Sequence, residues 1–302
     1  MDIQTRSSIT ALYDIIYFMN ILITGANGML AQAIKTKFSN PENTLSLTDS
    51  HDLDITNSEL VAKTIAELKP DLIINCAAYT AVDKAEEQTG LAEKVNADGP
   101  KNLAIAARAN DAILVHISTD YVFGGNKPIT ETYSEDDEKT PTSVYGKTKL
   151  AGELAIIENC DKYYIFRTAW LYGEGQNFVR TMRELAKTHD TVKVVSDQHG
   201  SPTYTEDLAN IIYQTVENKL PYGTYHATNQ GFTTWFEFTQ KIYELTNTKC
   251  AVQPVTSEEY PTVAERPKNS QLSKNKLLQY GIIIPTWEDA LERYLKKEQA
   301  ND

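Results

Sequence analysis

The sequence predicts an α/β fold: a Rossmann-type, doubly wound parallel sheet with a smaller, interleaved C-terminal substrate lobe. Three observations predict it. A short apolar run, Asn20-Ile-Leu-Ile-Thr24, leads straight into a glycine turn, Gly25-Ala-Asn-Gly28. From Met19 onward, strand and helix patterns alternate, which calls for parallel strands with helices on both faces. Downstream of the turn lies Tyr145-Gly-Lys-Thr-Lys149, whose tyrosine and second lysine share a helical face at i and i+4.

The elements follow in order. The run at 20–24 is long enough for a buried strand. After the glycines, Leu30, Ile34 and Phe38 recur at helical spacing. Strands are expected at 44–48, 71–75, 112–118 and 163–167, and helices near 57–68, 89–109 and 145–158. Capping boxes at Thr56 with Glu59 and at Thr203 with Glu206 mark helix starts. Later, 223–227 reads as a strand, Thr234 with Glu237 opens a helix, and Thr286 with Asp289 opens the last one. Residues 1–18 read as an extension outside the fold. The nucleotide-binding unit is expected over 19–168 plus roughly 204–230, and the substrate lobe over roughly 169–203 plus 231–302.

Composition narrows the function. The chain has 302 residues, 41% hydrophobic and 23% charged, values of a globular protein. Its net charge of −12 argues against a nucleic-acid-binding surface, and no apolar run is long enough to span a bilayer. Three cysteines without metal spacing and five scattered histidines suit a reducing cytoplasm and carry no metal site.

The candidate site is built from chemistry. Strand, glycine turn and helix N-terminus together form an anion site, where backbone N–H groups and the helix dipole face a pyrophosphate. Asp49 ends the second strand about 20 residues on, where an acid holds an adenosine ribose hydroxyl. Ser50 and His51 beside it suit a 2′-phosphate instead, so NADH and NADPH both stay open. Asp54 and Ile55 would border the adenine, and Cys76, Ala77 and Ala78 let a ligand approach the backbone. A free tyrosine has a pKa of ~10. A cation ~4 Å away is worth about 4 kcal/mol at an effective dielectric of ~20, or roughly three pKa units. Lys149 is therefore expected to bring the Tyr145 phenol into working range for carbonyl or alcohol chemistry. A hydroxyl at the fourth strand's end, Thr119 or Ser118, would hydrogen-bond a substrate carbonyl. Arg266 would grip phosphate bidentately with Ser270 adding a hydroxyl, unless it pairs with an acid such as Glu265 or Glu259.

From Met19 to about residue 297 the chain resembles the extended short-chain dehydrogenase/reductases, which use the Gly-x-x-Gly-x-x-Ala turn seen here with Ala31. Within them it resembles the dTDP-4-dehydrorhamnose reductase family. The matching pieces are Gly25-Ala-Asn-Gly28, Leu53-Asp-Ile-Thr56, Asn75-Cys-Ala-Ala-Tyr-Thr-Ala-Val-Asp83, Ser118-Thr-Asp-Tyr-Val-Phe123, Tyr145-Gly-Lys-Thr-Lys149, Arg167-Thr-Ala-Trp-Leu-Tyr172, Asp197-Gln-His-Gly-Ser-Pro-Thr203 and Arg266-Pro-Lys-Asn-Ser270. The resemblance implies NAD(P)H-dependent reduction of the 4-keto group of dTDP-4-dehydro-β-L-rhamnose to dTDP-L-rhamnose for cell-surface polysaccharide. It implies Thr119, Tyr145 and Lys149 as the catalytic set. The cofactor set it implies adds Asn27, Met29, Leu30, Tyr79 and Asn96. The substrate set is Thr80, Val82, Asp83, Thr119, Asp120, Tyr121, Trp170, Arg266 and Ser270. Relatives that hold an interface magnesium carry a glutamate early in the first helix. Ala33 stands near that place here, so no metal is carried over. The implied partners are a nucleotide sugar and a second copy in a homodimer, with neither nucleic acid nor membrane. Two other readings are a reductase or epimerase of another nucleotide-4-keto-6-deoxy sugar, and a non-catalytic nucleotide-binding regulatory subunit.

Overall fold

The computed structural model describes residues 19–301; the expected extension at 1–18 lies outside the described residues. The first half runs β1 (Asn20–Thr24), α1 (Met29–Phe38), β2 (Thr44–Thr48), α2 (Ser58–Leu68), β3 (Leu72–Asn75), α3 (Val82–Glu87) and α4 (Thr89–Glu93). A π-helical turn at Lys94–Asp98 joins α4 to α5 (Gly99–Ala109), followed by β4 (Ile113–Thr119), α6 (Val144–Asn159) and β5 (Tyr163–Thr168). The second half begins with β6 (Leu171–Tyr172), α7 (Phe178–Leu185), β7 (Thr191–Val195), β8 (His199–Gly200), β9 (Thr203–Tyr204), α8 (Thr205–Glu217) and β10 (Gly223–His226). It closes with β11 (Thr233–Thr234), α9 (Trp235–Leu245), β12 (Ala251–Val255), α10 (Asn275–Gln279) and α11 (Trp287–Asn301).

Six strands form one sheet in the order β10-β5-β4-β3-β1-β2, every pair parallel. The order reverses at β1, so the crevice outside the carboxyl ends of β1 and β3 is a topological switch point, where open α/β sheets bind ligands. Strand alternation explains the two apolar layers. Ile21 and Ile23 face α1 and α8 with Ile34, Phe38 and Leu208, while Leu22 between them faces α2, α5 and α6 with Val61, Leu103 and Ile156. Each such buried side chain contributes about 1.5–3 kcal/mol relative to exposure. A separate aromatic core, Tyr172, Tyr204, Phe238, Trp287 and Tyr294, joins α9 and α11 to the segments after β5.

Several local expectations change. α2 is capped by Asn57, whose side chain accepts from the Leu60 N–H at 3.0 Å, one residue beyond Thr56. Thr203 lies buried in β9 and α8 starts after Tyr204 without a side-chain cap, because tertiary pairing with β6 outweighs the local box. Thr234 and Glu237 form a full capping box, and Thr286 accepts from the Asp289 N–H at 3.3 Å. The helix expected over 89–109 carries the π turn in its middle. The parallel pair β7–β12 had no sequence signal strong enough to predict it. Among the described residues no helix is long and apolar enough to cross a membrane.

Candidate active site

A cleft of about 790 Å³ opens along the carboxyl edge of the sheet. Its floor is the glycine turn. Gly25 adopts φ +66°, and a Cβ there would lie 2.6 Å from the Ala77 nitrogen; only glycine allows β1 and the 76–78 loop to meet. Gly28 caps α1 without a side chain, and the first turn of α1 carries no acid. The helix end is thus open to an anion, and the turn fits a dinucleotide pyrophosphate. The Asn27 amide donates to Asp49 at 2.8 Å, tying the turn to the end of β2. The His51 backbone N–H, ahead of the other donors, holds the Asp49 carboxyl below its usual range. Asp54 spends one oxygen on the Thr56 N–H and hydroxyl, while Ile55 lines the wall. Burial pushes the Cys76 thiol up to about 12, so it is a neutral wall residue.

The opposite wall is the start of α6. Ser143 caps it by accepting from the Gly146 N–H at 3.1 Å. Two glycines let the helix press inward: a Cβ on Gly146 would sit 2.2 Å from the Tyr121 carbonyl oxygen, and one on Gly152 would sit 2.1 Å from that of Asn96. Tyr145 and Lys149 therefore both reach the cleft. Their pairing differs from the expectation. The Lys149 ammonium is turned to β4, 2.6 Å from the Ile117 carbonyl and 3.2 Å from His116 Nε2. Burial raises the Tyr145 phenol above its ordinary value, against a lowering by the Thr119 hydroxyl, and the lysine contributes nothing to its shift. Burial also brings Lys149 down to about 8, opposed by Glu153. In this geometry the phenol is a fully loaded acid rather than one tuned downward.

Thr119 ends β4 with its hydroxyl toward Tyr145 and donating to Asp120 at 3.0 Å. Ser118 also lines the cleft, but its hydroxyl is spent on Glu153 at 2.5 Å; Glu153 in turn binds Arg167 at 2.7 Å in a buried ion pair. Asp120 also accepts from Ser270 at 2.5 Å. Burial pushes its carboxyl up to about 6. Tyr121 stands edge-on to Tyr145, ring centroids 5.5 Å apart. Behind it, Arg266 donates to the Tyr121 hydroxyl at 3.0 Å and to Asp83 at 2.7 Å. Its acid is therefore Asp83, not Glu265 or Glu259.

Trp170 closes the far end. Its φ of +48° is unusual for so bulky a residue. Trp235 stacks on it at 3.8 Å between centroids, and a Cβ on Gly200 would meet its ring at 2.7 Å. Neighbouring groups thus hold a strained backbone, a pattern associated with ligand clamps.

Of the expected site residues, Gly25, Asn27, Gly28, Met29, Leu30, Asp49, Asp54, Ile55, Cys76, Ala77, Ala78, Thr80, Val82, Thr119, Asp120, Tyr121, Tyr145, Lys149 and Trp170 share this one cleft. Five do not line it. Asn96 is buried, accepting from the Tyr79 N–H and donating to its carbonyl, so both hold the 76–80 loop from behind. Asp83, Arg266 and Ser270 brace Tyr121 and Asp120 from outside. Thr168, Ala169 and Val95 line the cleft without having been expected. Thr168 and Ala169 follow from the rule that ligands meet strand carboxyl ends; Val95 sits in the π turn, which sequence does not mark.

The model of the RmlD substrate binding domain family matches residues 19–300. A dTDP-4-dehydrorhamnose reductase of Salmonella typhimurium is 39% identical over 293 residues, covering 92% of this chain and 97% of that protein. A crystal structure of a dTDP-4-dehydrorhamnose reductase from Clostridium acetobutylicum superposes with a TM-score of 0.91 at 50% identity, covering 93% of this chain and all of the other. A dTDP-4-dehydrorhamnose reductase from Bacillus anthracis, solved in complex with NADP, superposes at 0.89 with 43% identity, again over 93% of this chain and 100% of that chain.

Proposed function

This chain belongs to the family of the RmlD substrate binding domain, the dTDP-4-dehydrorhamnose reductases, and from that premise we infer its reaction. It is an NAD(P)H-dependent oxidoreductase that reduces the 4-keto group of dTDP-4-dehydro-β-L-rhamnose to dTDP-L-rhamnose, the activated sugar for polysaccharide. One observation carries the reading: Thr119, Tyr145 and Lys149 converge in the same cleft as the glycine turn.

Bound on Gly25 and Gly28, the reduced nicotinamide dinucleotide supplies the hydride. Thr119 orients the sugar carbonyl through its hydroxyl. As the carbonyl carbon takes the hydride, its oxygen becomes an alkoxide and takes the proton of Tyr145. A phenol raised by burial keeps that proton at neutral pH, so the acid form is always present. Lys149, on the next turn of α6 with its amine turned to β4, would hold the cofactor's ribose side. Trp170 packs against the sugar. Tyr121 lines the nucleotide-sugar end, and Arg266, held behind it by Asp83 and the Tyr121 hydroxyl, would reach a phosphate oxygen by releasing one of those donors. The two-unit division, 19–168 with roughly 204–230 against the rest, is part of the same proposal. It is supported by β10 closing the main sheet while α9 and α11 share a separate core.

The same reading places the chain in the cytoplasm, supported by three free cysteines and a nucleotide substrate. A homodimer is supported by exposed Ile105, Leu154 and Ile157 on α5 and α6. The experiment that tests the function is oxidation of NADPH and of NADH, each with dTDP-4-dehydro-L-rhamnose and with other 4-keto nucleotide sugars. The reading expects turnover with the rhamnose precursor well above the others. Preference for another sugar would reassign the substrate, and cofactor binding without turnover on any of them would favour a regulatory subunit.

A further inference from the structure

Behind the cleft wall runs a buried polar chain that ends on Lys149 and whose other members the reaction above does not use. Thr24, Asn75, His116 and Lys149 are each nearly sealed from solvent. The Asn75 side-chain oxygen accepts from the Thr24 hydroxyl at 2.7 Å and from the Ala77 backbone N–H at 3.1 Å. A backbone N–H only donates, so the amide orientation is fixed with oxygen toward Ala77. Its nitrogen therefore donates to His116 Nδ1, 3.0 Å away. A neutral imidazole that accepts at Nδ1 carries its proton on Nε2. That Nε2–H faces Lys149 Nζ at 3.2 Å. An ammonium has three donors and no acceptor. Two donors then oppose each other in a dry interior, where an unmade hydrogen bond is expensive.

We propose that His116 is a positioning residue for Lys149, its Nε2–H offering the lysine a donor, so that the lysine's protonation is coupled to the His116 tautomer, the Asn75 amide orientation and the Ala77 backbone. A free Lys149 amine satisfies the whole chain: its lone pair accepts from Nε2–H and one N–H donates to the Ile117 carbonyl. A charged Lys149 needs a lone pair on Nε2. His116 must then carry its proton on Nδ1, Asn75 must turn its oxygen to it, and Ala77 loses its acceptor. Ala77 lines the cofactor side of the cleft, so charge on the catalytic lysine is linked to the wall that meets the dinucleotide. The other charged or titratable groups facing Lys149 are Glu153 on α6 and Cys76 at the end of β3. Glu153, though ion-paired with Arg167, still favours the charged lysine, and Cys76 is a neutral thiol. His116 faces no other charge and burial holds it neutral. The lysine's own descent to about 8 runs in the direction this donor would push it.

The inference rests on Lys149 acting as the site's cation, but its main test needs neither turnover nor cofactor. Long-range proton–nitrogen spectra of histidine-labelled protein report each tautomer directly, and there are only five histidines. His116 is identified by the signal missing in His116→Gln. Over about pH 6.5–9.5, His116 should stay neutral and pass from the Nδ1–H to the Nε2–H tautomer as pH rises. In Lys149→Met it should remain Nε2–H throughout. One tautomer at every pH in the unaltered protein, a charged imidazolium, or a switch that survives Lys149→Met would overturn the proposal. In His116→Gln the amide oxygen can accept from the ammonium, so the lysine limb of the pH–rate profile should move up by roughly one unit. An unmoved limb with only reduced thermal stability would make His116 merely structural and also overturn it.

Discussion

At the scale of single residues, the proposed mechanism makes Tyr145 the group whose loss should separate chemistry from binding. Tyr145→Phe keeps the ring against Tyr121 and deletes the acid, and general acid catalysis is worth about 10²–10⁴-fold. Turnover should fall by that factor while the dissociation constant for NAD(P)H, read by fluorescence titration, stays nearly unchanged. A variant with most of its turnover intact would remove Tyr145 from the mechanism. Asp120 makes a different trade. Burial lifts its carboxyl to about 6, above the unfolded value of about 3.9. The folded state therefore keeps a proton that the unfolded chain releases, and this stability contribution is full below that window and lost as pH rises through it. At neutral pH the fold carries a buried ionised carboxylate. Asp120→Asn should raise stability to chemical denaturation by about 1–3 kcal/mol at pH 7–8, show little gain at pH 4, and weaken turnover. Equal stabilisation at both pH values would mean that ionisation is not the cause. Arg266 is pinned between Asp83 and Tyr121. Arg266→Ala should raise the Michaelis constant for the nucleotide sugar at least ~10-fold, equivalent to ~1.4 kcal/mol, and leave that for the cofactor alone. Arg266→Lys should recover only part, because a point charge cannot reproduce the fork. Equal weakening of both constants would show that the brace serves the fold rather than the sugar.

The element that decides the site is α6. Its glycines at 146 and 152 are not the choice of a helix on propensity alone, since alanine is better by about 1 kcal/mol. Packing reverses that preference. The added methyl of Gly152→Ala would meet the Asn96 carbonyl oxygen at 2.1 Å, a backbone atom in the π turn that cannot swing away. We expect a net loss of about 1–3 kcal/mol, measured by thermal or denaturant unfolding, with reduced turnover because Tyr145 and Lys149 ride on the same helix. A more stable variant would show that α6 has slack. This element also shows how far the chain could be read without coordinates. The i, i+4 pair, the glycine turn and the β1–α1 entry were legible because each is a local pattern with a local cause. The direction of the Lys149 amine was not, because Ile117 and His116 lie more than 30 residues away on β4. Asn96 has cofactor-site chemistry by type, yet the π turn beneath it aims it at Tyr79. Arg167 reads as a motif residue and proves to be the buried counter-ion of Glu153. Thr203 and Glu206 satisfy a capping pattern that strand pairing overrides.

At the scale of the whole molecule, the proposed reaction asks an acidic chain of net charge −12 to hold two anionic ligands in one cleft. The cleft has an open helix end at Gly28 with no acid in its first turn, suited to one phosphate group, and the Arg266 guanidinium is braced outside it by Asp83 and Tyr121. The sheet aligns the cleft along the switch point at β1 and β3 and the ends of β4 and β5; on the proposed reading the first would carry the cofactor and the second the substrate. Trp170, propped by Trp235, closes the cleft from beyond β5. On the proposed reading these two sides meet at the sugar's 4-position. This is tested most directly with NADPH deuterated on the transferring face of C4 of its nicotinamide, incubated with dTDP-4-dehydro-L-rhamnose. The product should be dTDP-L-rhamnose carrying the deuteron at its own C4, formed by the unaltered enzyme and at least about 10²-fold more slowly by Tyr145→Phe. Deuterium left on the cofactor while the sugar is merely epimerised, or no reduced sugar at all, would contradict the account.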